Sequence, residues 1–176
     1  MVLPVSAVQN VDLARIAFGQ TIAVTGLQLA VATAAAVNGG NYFTPYLVSE
    51  IYADNGIVAE KIEPQLKRKV ISEKASKILN EMLEKVVSEG SGKQAYIDGY
   101  HVAGKTGTAQ KYENGIIAQG KYVSSFVGYF PANAPKYLAL VIVDEPVGQY
   151  YGSTVAAPYA KQVFEGIIKL KNIVKS

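Results

Sequence analysis

The chain of 176 residues has no cysteine and only one histidine. Without cysteine it can form neither a disulfide bond nor a thiolate metal site, and one histidine does not build a metal centre, so we expect no metal and no cofactor. The net charge is only +3, and the lysines are scattered apart from Lys67-Arg68-Lys69. We interpret that cluster as a solvated turn, and no basic stripe with interleaved aromatic residues indicates nucleic-acid binding.

Long apolar runs and a leader sequence are also absent. The nearest candidate for a membrane span, residues 22–37, has 16 residues rich in alanine and threonine, which is too short to cross a bilayer. Met1-Val2-Leu3-Pro4 has no basic region of the kind that begins a signal peptide. The sequence therefore predicts no transmembrane segment in these residues. Because nearly half of the residues are apolar, it predicts one domain or most of one.

Two helices have clear start and stop signals. Thr25-Gly26-Leu27-Gln28 fits a capping box, and the apolar run behind it ends at Asn38-Gly39-Gly40. This pattern predicts a helix that is apolar on every side and therefore covered on every side. Ser72 predicts the N-cap of a second helix, which ends at Gly90. Its predicted buried face is the apolar series Ala75, Ile78, Leu79, Met82, Leu83 and Val86.

Turn signals divide the rest of the chain. Residues 42–53 and 57–62 flank Asp54-Asn55-Gly56, which indicates a surface hairpin. A helical turn is expected over residues 11–17. Glu113-Asn114-Gly115 marks a further turn, this one between two predicted strands.

The second half of the chain has the pattern of an antiparallel meander. Residues 100–111, 122–130 and 137–143 predict three consecutive strands, and we expect residues 115–120 to form a loop that overhangs a cleft. A last helix over residues 153–173 follows. Its side chains available to the sheet are Ala157, Ala160, Phe164, Ile167 and Ile168. The predicted fold class is α+β, an antiparallel sheet packed with helices.

The strongest chemical signal is Ala103-Gly104-Lys105-Thr106-Gly107-Thr108-Ala109-Gln110. Lys105 and Thr106 together can bind an anionic group such as a carboxylate. Gly107 lets a substrate approach the backbone, and the N–H of Thr108 can donate to a developing oxyanion. The tripeptide Lys-Thr-Gly alone is more often a solvated strand end with a bulge, so its context decides between the two interpretations.

The context resembles the third motif of the penicillin-binding transpeptidases. Glu89-Gly90-Ser91-Gly92 lies upstream of the octapeptide and Phe126-Val127-Gly128-Tyr129-Phe130-Pro131 lies downstream. The segments that precede this motif in the family are matched by Ala17-Phe18-Gly19-Gln20, Val24-Thr25-Gly26-Leu27-Gln28-Leu29-Ala30 and Val37-Asn38-Gly39-Gly40, and Ala156-Ala157-Pro158 resembles the start of the family's last helix. The resemblance thus covers nearly the whole chain.

The first two motifs of that family, Ser-x-x-Lys and Ser-x-Asn, do not occur in this sequence. In the family the first supplies the nucleophilic serine, and both lie N-terminal to the matching segment. The resemblance therefore implies that residues 1–176 are the C-terminal portion of one transpeptidase domain, without its nucleophile. Lys105 and Thr106 would bind the substrate carboxylate, Gly107 would allow close approach, and the Thr108 N–H would form half of the oxyanion hole.

The implied parent is a peptidoglycan D,D-transpeptidase of the high-molecular-weight type, which acts in division, elongation or sporulation. Its implied partners are the D-Ala-D-Ala end of a stem peptide, β-lactams and the N-terminal half of its own domain, and we expect this portion to self-associate. The implied location is a membrane-anchored protein with this domain on the cell-wall side. A serine β-lactamase, a β-lactam sensor and a noncatalytic cell-wall scaffold are the alternatives.

Strict alternation along a strand puts Lys105 and Thr106 on opposite faces. Both can serve one site only if the strand lies at a sheet edge or twists there. Five other conspicuous residues receive modest interpretations: His101 as a surface or packing residue, Asp144 and Glu145 as a solvated turn, and the pair Tyr150-Tyr151 as either a cleft rim or packing.

Overall fold

The computed structural model describes residues 4–17, 19–20, 22–114 and 116–175. Helix α1 is Asn10–Ile16, as expected for that segment, and buries none of its residues. Helix α2 is Gly26–Val37. The Thr25 hydroxyl accepts from the Gln28 N–H at 3.2 Å and the Gln28 side chain accepts from the Thr25 N–H at 2.9 Å, so the predicted capping box is confirmed.

The expected burial of α2 on every side is wrong for this chain. Only Ala35 and Val37 are buried, and Leu27 is 64% exposed. Within the described chain α2 contacts β1, α3 and β7, and these neighbours cover it incompletely. Apolar side chains of α2, Leu27 among them, are therefore left in solvent.

Helix α3 is Glu73–Ser88, capped by the Ser72 hydroxyl, which accepts from the Ala75 N–H at 3.1 Å. The predicted face is wrong in part, because Ala75, Ile78 and Met82 are exposed. Polar residues fix the rotation of the helix. The Ser76 hydroxyl accepts from the Gly39 N–H at 3.0 Å, and the Asn80 amide donates to the Val37 carbonyl oxygen at 3.0 Å. The side turned inward carries Ser76, Leu79, Asn80, Leu83 and Val87.

Two short antiparallel ribbons lie between these helices. Strand β1, Asn41–Phe43, pairs with β4, Leu66–Lys69, and β2, Glu50–Tyr52, pairs with β3, Val58–Lys61. The predicted hairpin is confirmed by the β2–β3 pair. The interpretation of Lys67-Arg68-Lys69 as a turn is wrong, because β1 pairs with this segment, which nevertheless remains exposed to solvent.

The main sheet has the order β5-β6-β7, with β5 at Ala103–Glu113, β6 at Ile116–Phe130 and β7 at Tyr137–Asp144. Both pairs are antiparallel, which confirms the meander. The expected loop over residues 115–120 is wrong for residues 116–120, which extend β6 because Ile116 and Ile117 pair with the end of β5. Gly115, the last residue of the predicted turn, lies outside the described residues, as does Phe18.

The last predicted helix is divided into α4, Gly152–Val155, and α5, Ala157–Lys171. Pro158 has no N–H to donate to the preceding turn, so a continuous helix cannot run through it. Helix α5 covers one face of the sheet. Its Phe164 ring meets the Phe130 ring edge-on at 5.1 Å, in a core that also holds Phe126, Ala157 and Ala160.

Candidate functional site

The octapeptide motif lies on β5, which pairs only with β6 in the described sheet and is therefore an edge strand. Lys105 is on the face that α2 and α3 approach. On the opposite face, the Thr108 hydroxyl accepts from the Gly152 N–H at the start of α4 at 3.0 Å. Lys105 and Thr106 thus lie on opposite faces, as alternation requires, and they can approach one ligand only along the edge.

The Lys105 side chain is exposed and folds along this edge. Its Nζ donates to the carbonyl oxygen of Thr106 at 2.9 Å. No carboxylate of the described residues lies within salt-bridge distance of it. The cation is therefore available to an anionic ligand.

The Thr106 hydroxyl lies 3.2 Å from the Ser91 hydroxyl. Ser91 belongs to the glycine-flanked turn that follows α3, and it is exposed. The sequence motif did not single out Ser91 as a site residue, since the contact depends on where α3 ends relative to β5. The structure thus adds a second hydroxyl beside the motif.

Gly107 lies in close contact with Ser125 and with Gly152. A Cβ atom at this position would lie 2.6 Å from the Ser125 hydroxyl oxygen, and a Cβ on Gly152 would lie 2.3 Å from the Gly107 carbonyl oxygen. Helix α4 therefore begins directly against the backbone of Gly107. The Thr108 hydroxyl accepts from the Gly152 N–H, and this bond holds the side chain against the start of α4.

A stack of tyrosines lies beyond this contact. The Ser124 hydroxyl donates to the Tyr150 carbonyl oxygen, and the Tyr150 ring stacks on Tyr122 with centroids 4.1 Å apart. Tyr151 is half-exposed beside it, and its hydrogen bond with Tyr150 raises the pKa of the Tyr150 phenol to about 12. Tyr150 thus packs, while Tyr151 is exposed next to the Gly107–Thr108 backbone.

An apolar groove of about 370 Å³ borders Lys105 on the other face. Leu29 and Thr33 of α2, Leu83 of α3 and Val127 of β6 contribute to its walls. Below it the Tyr129 hydroxyl donates to Asn80 at 2.7 Å, and burial raises the pKa of this phenol well above its usual range. The motif lysine therefore stands at the mouth of a groove that the described chain does not fill.

The remaining sequence candidates have surface roles. His101 Nδ1 lies 2.6 Å from a carboxylate oxygen of Glu84 on α3, and φ is 48° at His101, which precedes β5. Asp144 and Glu145 bind the Lys111 ammonium at 2.9 and 2.7 Å. Over the part of the chain that the structure describes, no group of three or more metal-ligating side chains comes together, and no helix is long and apolar enough to cross a membrane.

A family profile described as "Penicillin binding protein transpeptidase domain" matches residues 5–165. Stage V sporulation protein D of Bacillus subtilis is 43% identical over 160 residues, which are 90% of this chain and 25% of that protein. A peptidoglycan D,D-transpeptidase FtsI homolog of Mesostigma viride is 35% identical over 95% of this chain and 30% of its own length. This chain thus spans about a quarter to a third of these two relatives.

Solved structures of penicillin-binding proteins are also similar to this chain. Penicillin-binding protein 3 of Mycobacterium tuberculosis superimposes with a TM-score of 0.86 at 26% identity, over 99% of this chain and 42% of that one. The same protein in complex with ampicillin has a TM-score of 0.84. The α+β arrangement of antiparallel strands and helices is therefore the arrangement found in those structures.

Proposed function

The chain belongs to the penicillin-binding protein transpeptidase family, and from this premise we propose that it is the C-terminal portion of a peptidoglycan D,D-transpeptidase domain. Its part in the reaction is to bind the substrate carboxylate and to stabilise the oxyanion. The observation that carries the proposal is the edge position of β5, along which Lys105 has no carboxylate partner among the described residues and the Thr106 hydroxyl lies beside Ser91.

Lys105, Thr106 and Ser91 form the carboxylate-binding group in this proposal. The ammonium supplies charge, and the two hydroxyls, hydrogen-bonded to each other at 3.2 Å, leave one O–H to donate to a ligand. Gly107 leaves the backbone accessible along the edge. These are the features needed to hold the C-terminal carboxylate of a D-Ala-D-Ala peptide, or the acidic group of a β-lactam in the same position.

The N–H of Thr108 is the oxyanion donor. The Thr106 carbonyl oxygen accepts from Lys105 and is therefore turned toward the free edge. In an antiparallel ladder the backbone groups of every second residue point the same way, which turns the Thr108 N–H toward that edge too. An N–H held rigidly in a sheet needs no reorganisation as negative charge develops on the carbonyl oxygen, which is how such donors accelerate acyl transfer.

The nucleophile comes from the rest of the domain. A serine hydroxyl there attacks the carbonyl carbon between the two D-alanines, and the terminal D-alanine leaves with the proton. The acyl-enzyme is then attacked by the amine of a second stem peptide, which releases the serine and forms the cross-link. A β-lactam acylates the same serine by opening its ring, and the ampicillin complex of the Mycobacterium tuberculosis relative supports this assignment.

The N-terminal half of the domain has an available surface on this chain. The groove beside Lys105 and the exposed apolar residues of α2 lie next to the motif strand, so a segment packed there would bring a serine close to the edge of β5. The parent protein is anchored in the membrane, with this domain on the cell-wall side.

Acylation by a labelled penicillin tests the proposal. This chain alone should form no covalent adduct in mass spectrometry, because no serine has a lysine three residues later. In the parent protein, Lys105→Ala should reduce the acylation rate by about 30-fold to 1,000-fold while thermal unfolding is unchanged, because a cation in the site contributes about 2 to 4 kcal/mol of charge stabilisation.

Lys93→Ala is the matched control, since Lys93 is an exposed lysine in the turn between α3 and β5 and has no side-chain partner among the described residues. It should acylate at the parent rate. Equal rates for Lys105→Ala and the parent would remove Lys105 from the site. A parent protein that is never acylated would favour the scaffold alternative.

A further inference from the structure

The β2–β3 ribbon makes no extensive contact with the described helices or with the other sheets. All four residues of β3 are exposed, and Leu47, Ile51, Tyr52 and Ile57, in the ribbon or beside it, present apolar side chains to solvent. A two-stranded ribbon without a covering layer is only marginally stable in water. Its outer backbone edges are also unpaired in the described sheet, which is the condition under which strands add to one another.

Charge is segregated along the same part of the chain. Residues 50–63 carry four carboxylates, Glu50, Asp54, Glu60 and Glu63, against Lys61, a net charge of −3. Strand β4 follows within a few residues and carries Lys67, Arg68 and Lys69, a net charge of +3. An extended segment whose first half is acidic and whose second half is basic is complementary to itself when two copies run antiparallel.

Some of these charges are paired within the described chain, and others are not. Lys61 is paired with Glu63 at 2.9 Å, and Arg68 lies over the Tyr42 ring at 6.0 Å. Glu60 and Lys67, in contrast, make no ion pair or side-chain hydrogen bond with any described residue, and both are exposed on strands. They are free to meet a partner.

We propose that this face binds a second copy of the same chain, with β3 of each copy running antiparallel to β4 of the other. In a two-fold symmetric contact each interaction occurs twice. With the axis near Pro64, Glu60 of each copy lies opposite Lys67 of the other, and Val58 lies opposite Lys69. The ribbons gain the additional strands that they lack alone.

The cations of β4 have a competing explanation, because lysines on an edge strand often prevent strand addition. The two explanations differ in the effect of charge reversal. If the lysines only keep copies apart, Lys67→Glu should strengthen self-association. If they bind the acidic ribbon, Lys67→Glu should weaken it.

A charge exchange provides the test, with the whole chain labelled by a donor or an acceptor fluorophore and energy transfer measured at micromolar concentration. Glu60→Lys alone and Lys67→Glu alone should each weaken self-association about tenfold, since like charges then oppose each other twice. A mixture of the two variants should associate as tightly as the unchanged chain, because every contact between unlike variants again joins opposite charges.

Recovery in the mixture also proves that both variants are folded. Lys169→Glu, an exposed charge reversal on α5, is the control and should leave association unchanged. Equal association of all variants would overturn the proposal and assign self-association to the groove beside Lys105 instead. A mixture no tighter than the single variants would overturn it as well.

Discussion

The two faces of the β5-β6-β7 sheet are covered to very different degrees. On one face, α5 encloses Phe126, Phe130 and Phe164, none of which retains measurable exposure. On the other, α2 and α3 approach the sheet but leave the groove beside Lys105, and Met82 of α3 is 61% exposed. One face thus forms a closed core, whereas the other leaves apolar side chains exposed to solvent.

The helix-capping signals in the sequence do not explain why the two faces are covered so differently. Helices α2 and α3 both have side-chain N-caps, while α5 begins without one. The difference lies in what each helix meets, since most of a helix's stability in a protein comes from packing of its apolar face. The motif strand lies at the boundary, with the Lys105 side chain on the open face and the Thr108 side chain on the closed one.

The largest effect is expected from the closed face. Phe164→Ala should lower the free energy of unfolding by about 3 to 5 kcal/mol, because it removes a ring that is fully enclosed and leaves a cavity. Leu170→Ala on the same helix should cost less than about 0.5 kcal/mol, as expected for an exposed side chain. Urea unfolding measures both, and similar losses would mean that α5 is not anchored as described.

Two glycine substitutions compare a tightly packed position on the closed face with an open position on α5. A Cβ atom on Gly104 would lie 2.6 Å from the Phe126 ring, so Gly104→Ala should cost about 1 to 3 kcal/mol through overpacking. Gly166 lies in α5 with no atom within 4 Å of a Cβ, so Gly166→Ala should stabilise by up to about 1 kcal/mol. Shifts of the same sign in urea unfolding would contradict the close approach at Gly104.

Substitutions on the solvent side of α3 should separate stability from association. Ile78→Lys and Met82→Lys together should change the unfolding free energy by less than about 0.5 kcal/mol per site, since both side chains are already exposed. They should nevertheless reduce binding of an apolar dye, and they should reduce any self-association through this face. A large loss of stability would show that the face is buried in solution.

The sequence could predict the structural features that are formed by residues close together along the chain. The capping box of α2, the Ser72 N-cap of α3, the β2–β3 hairpin and the meander rest on residues a few positions apart, and they are present in the structure. The pairing of β4 with β1 could not be predicted, because the partner lies about 25 residues away, and three consecutive cations are typical of a turn or a solvated face. The rotation of α3 was missed because buried polar groups on Ser76 and Asn80, rather than its apolar period, decide it.

In the site, too, local patterns could be predicted and contacts between distant residues could not. The four motif residues were identifiable from one octapeptide, whereas the sequence could not decide whether their strand lies at a sheet edge or twists. The contacts Thr106–Ser91 and Thr108–Gly152 join residues that are 15 and 44 positions apart. No local pattern predicts such contacts, because they arise only when α3 and α4 pack beside β5. The functional roles of the four residues remain predictions that acylation measurements will decide.

The smallest effect concerns an ion-pair group that joins the far ends of the strands. Lys111 lies at an irregularity in the β5–β6 ladder, and its ammonium reaches Asp144 and Glu145 at the end of β7. Its hydrogen bond to Glu145 holds the pKa of that carboxyl below its ordinary value of 4.5. A depressed carboxyl pKa stabilises the folded state above that ordinary value, and the stabilisation is lost as the pH falls through the lower folded-state value.

Glu145→Gln should therefore lower the thermal midpoint slightly at pH 7 and low salt, and this difference from the unchanged chain should disappear as the pH is lowered past 4.5. The effect should be small because the ion pair is exposed. Glu89→Gln, which removes an exposed carboxylate without a partner among the described residues, should show no such difference at either pH. A difference for Glu145→Gln that persists in acid would mean that shape or backbone geometry at this turn, and not the charge on the carboxylate, connects β5 to β7.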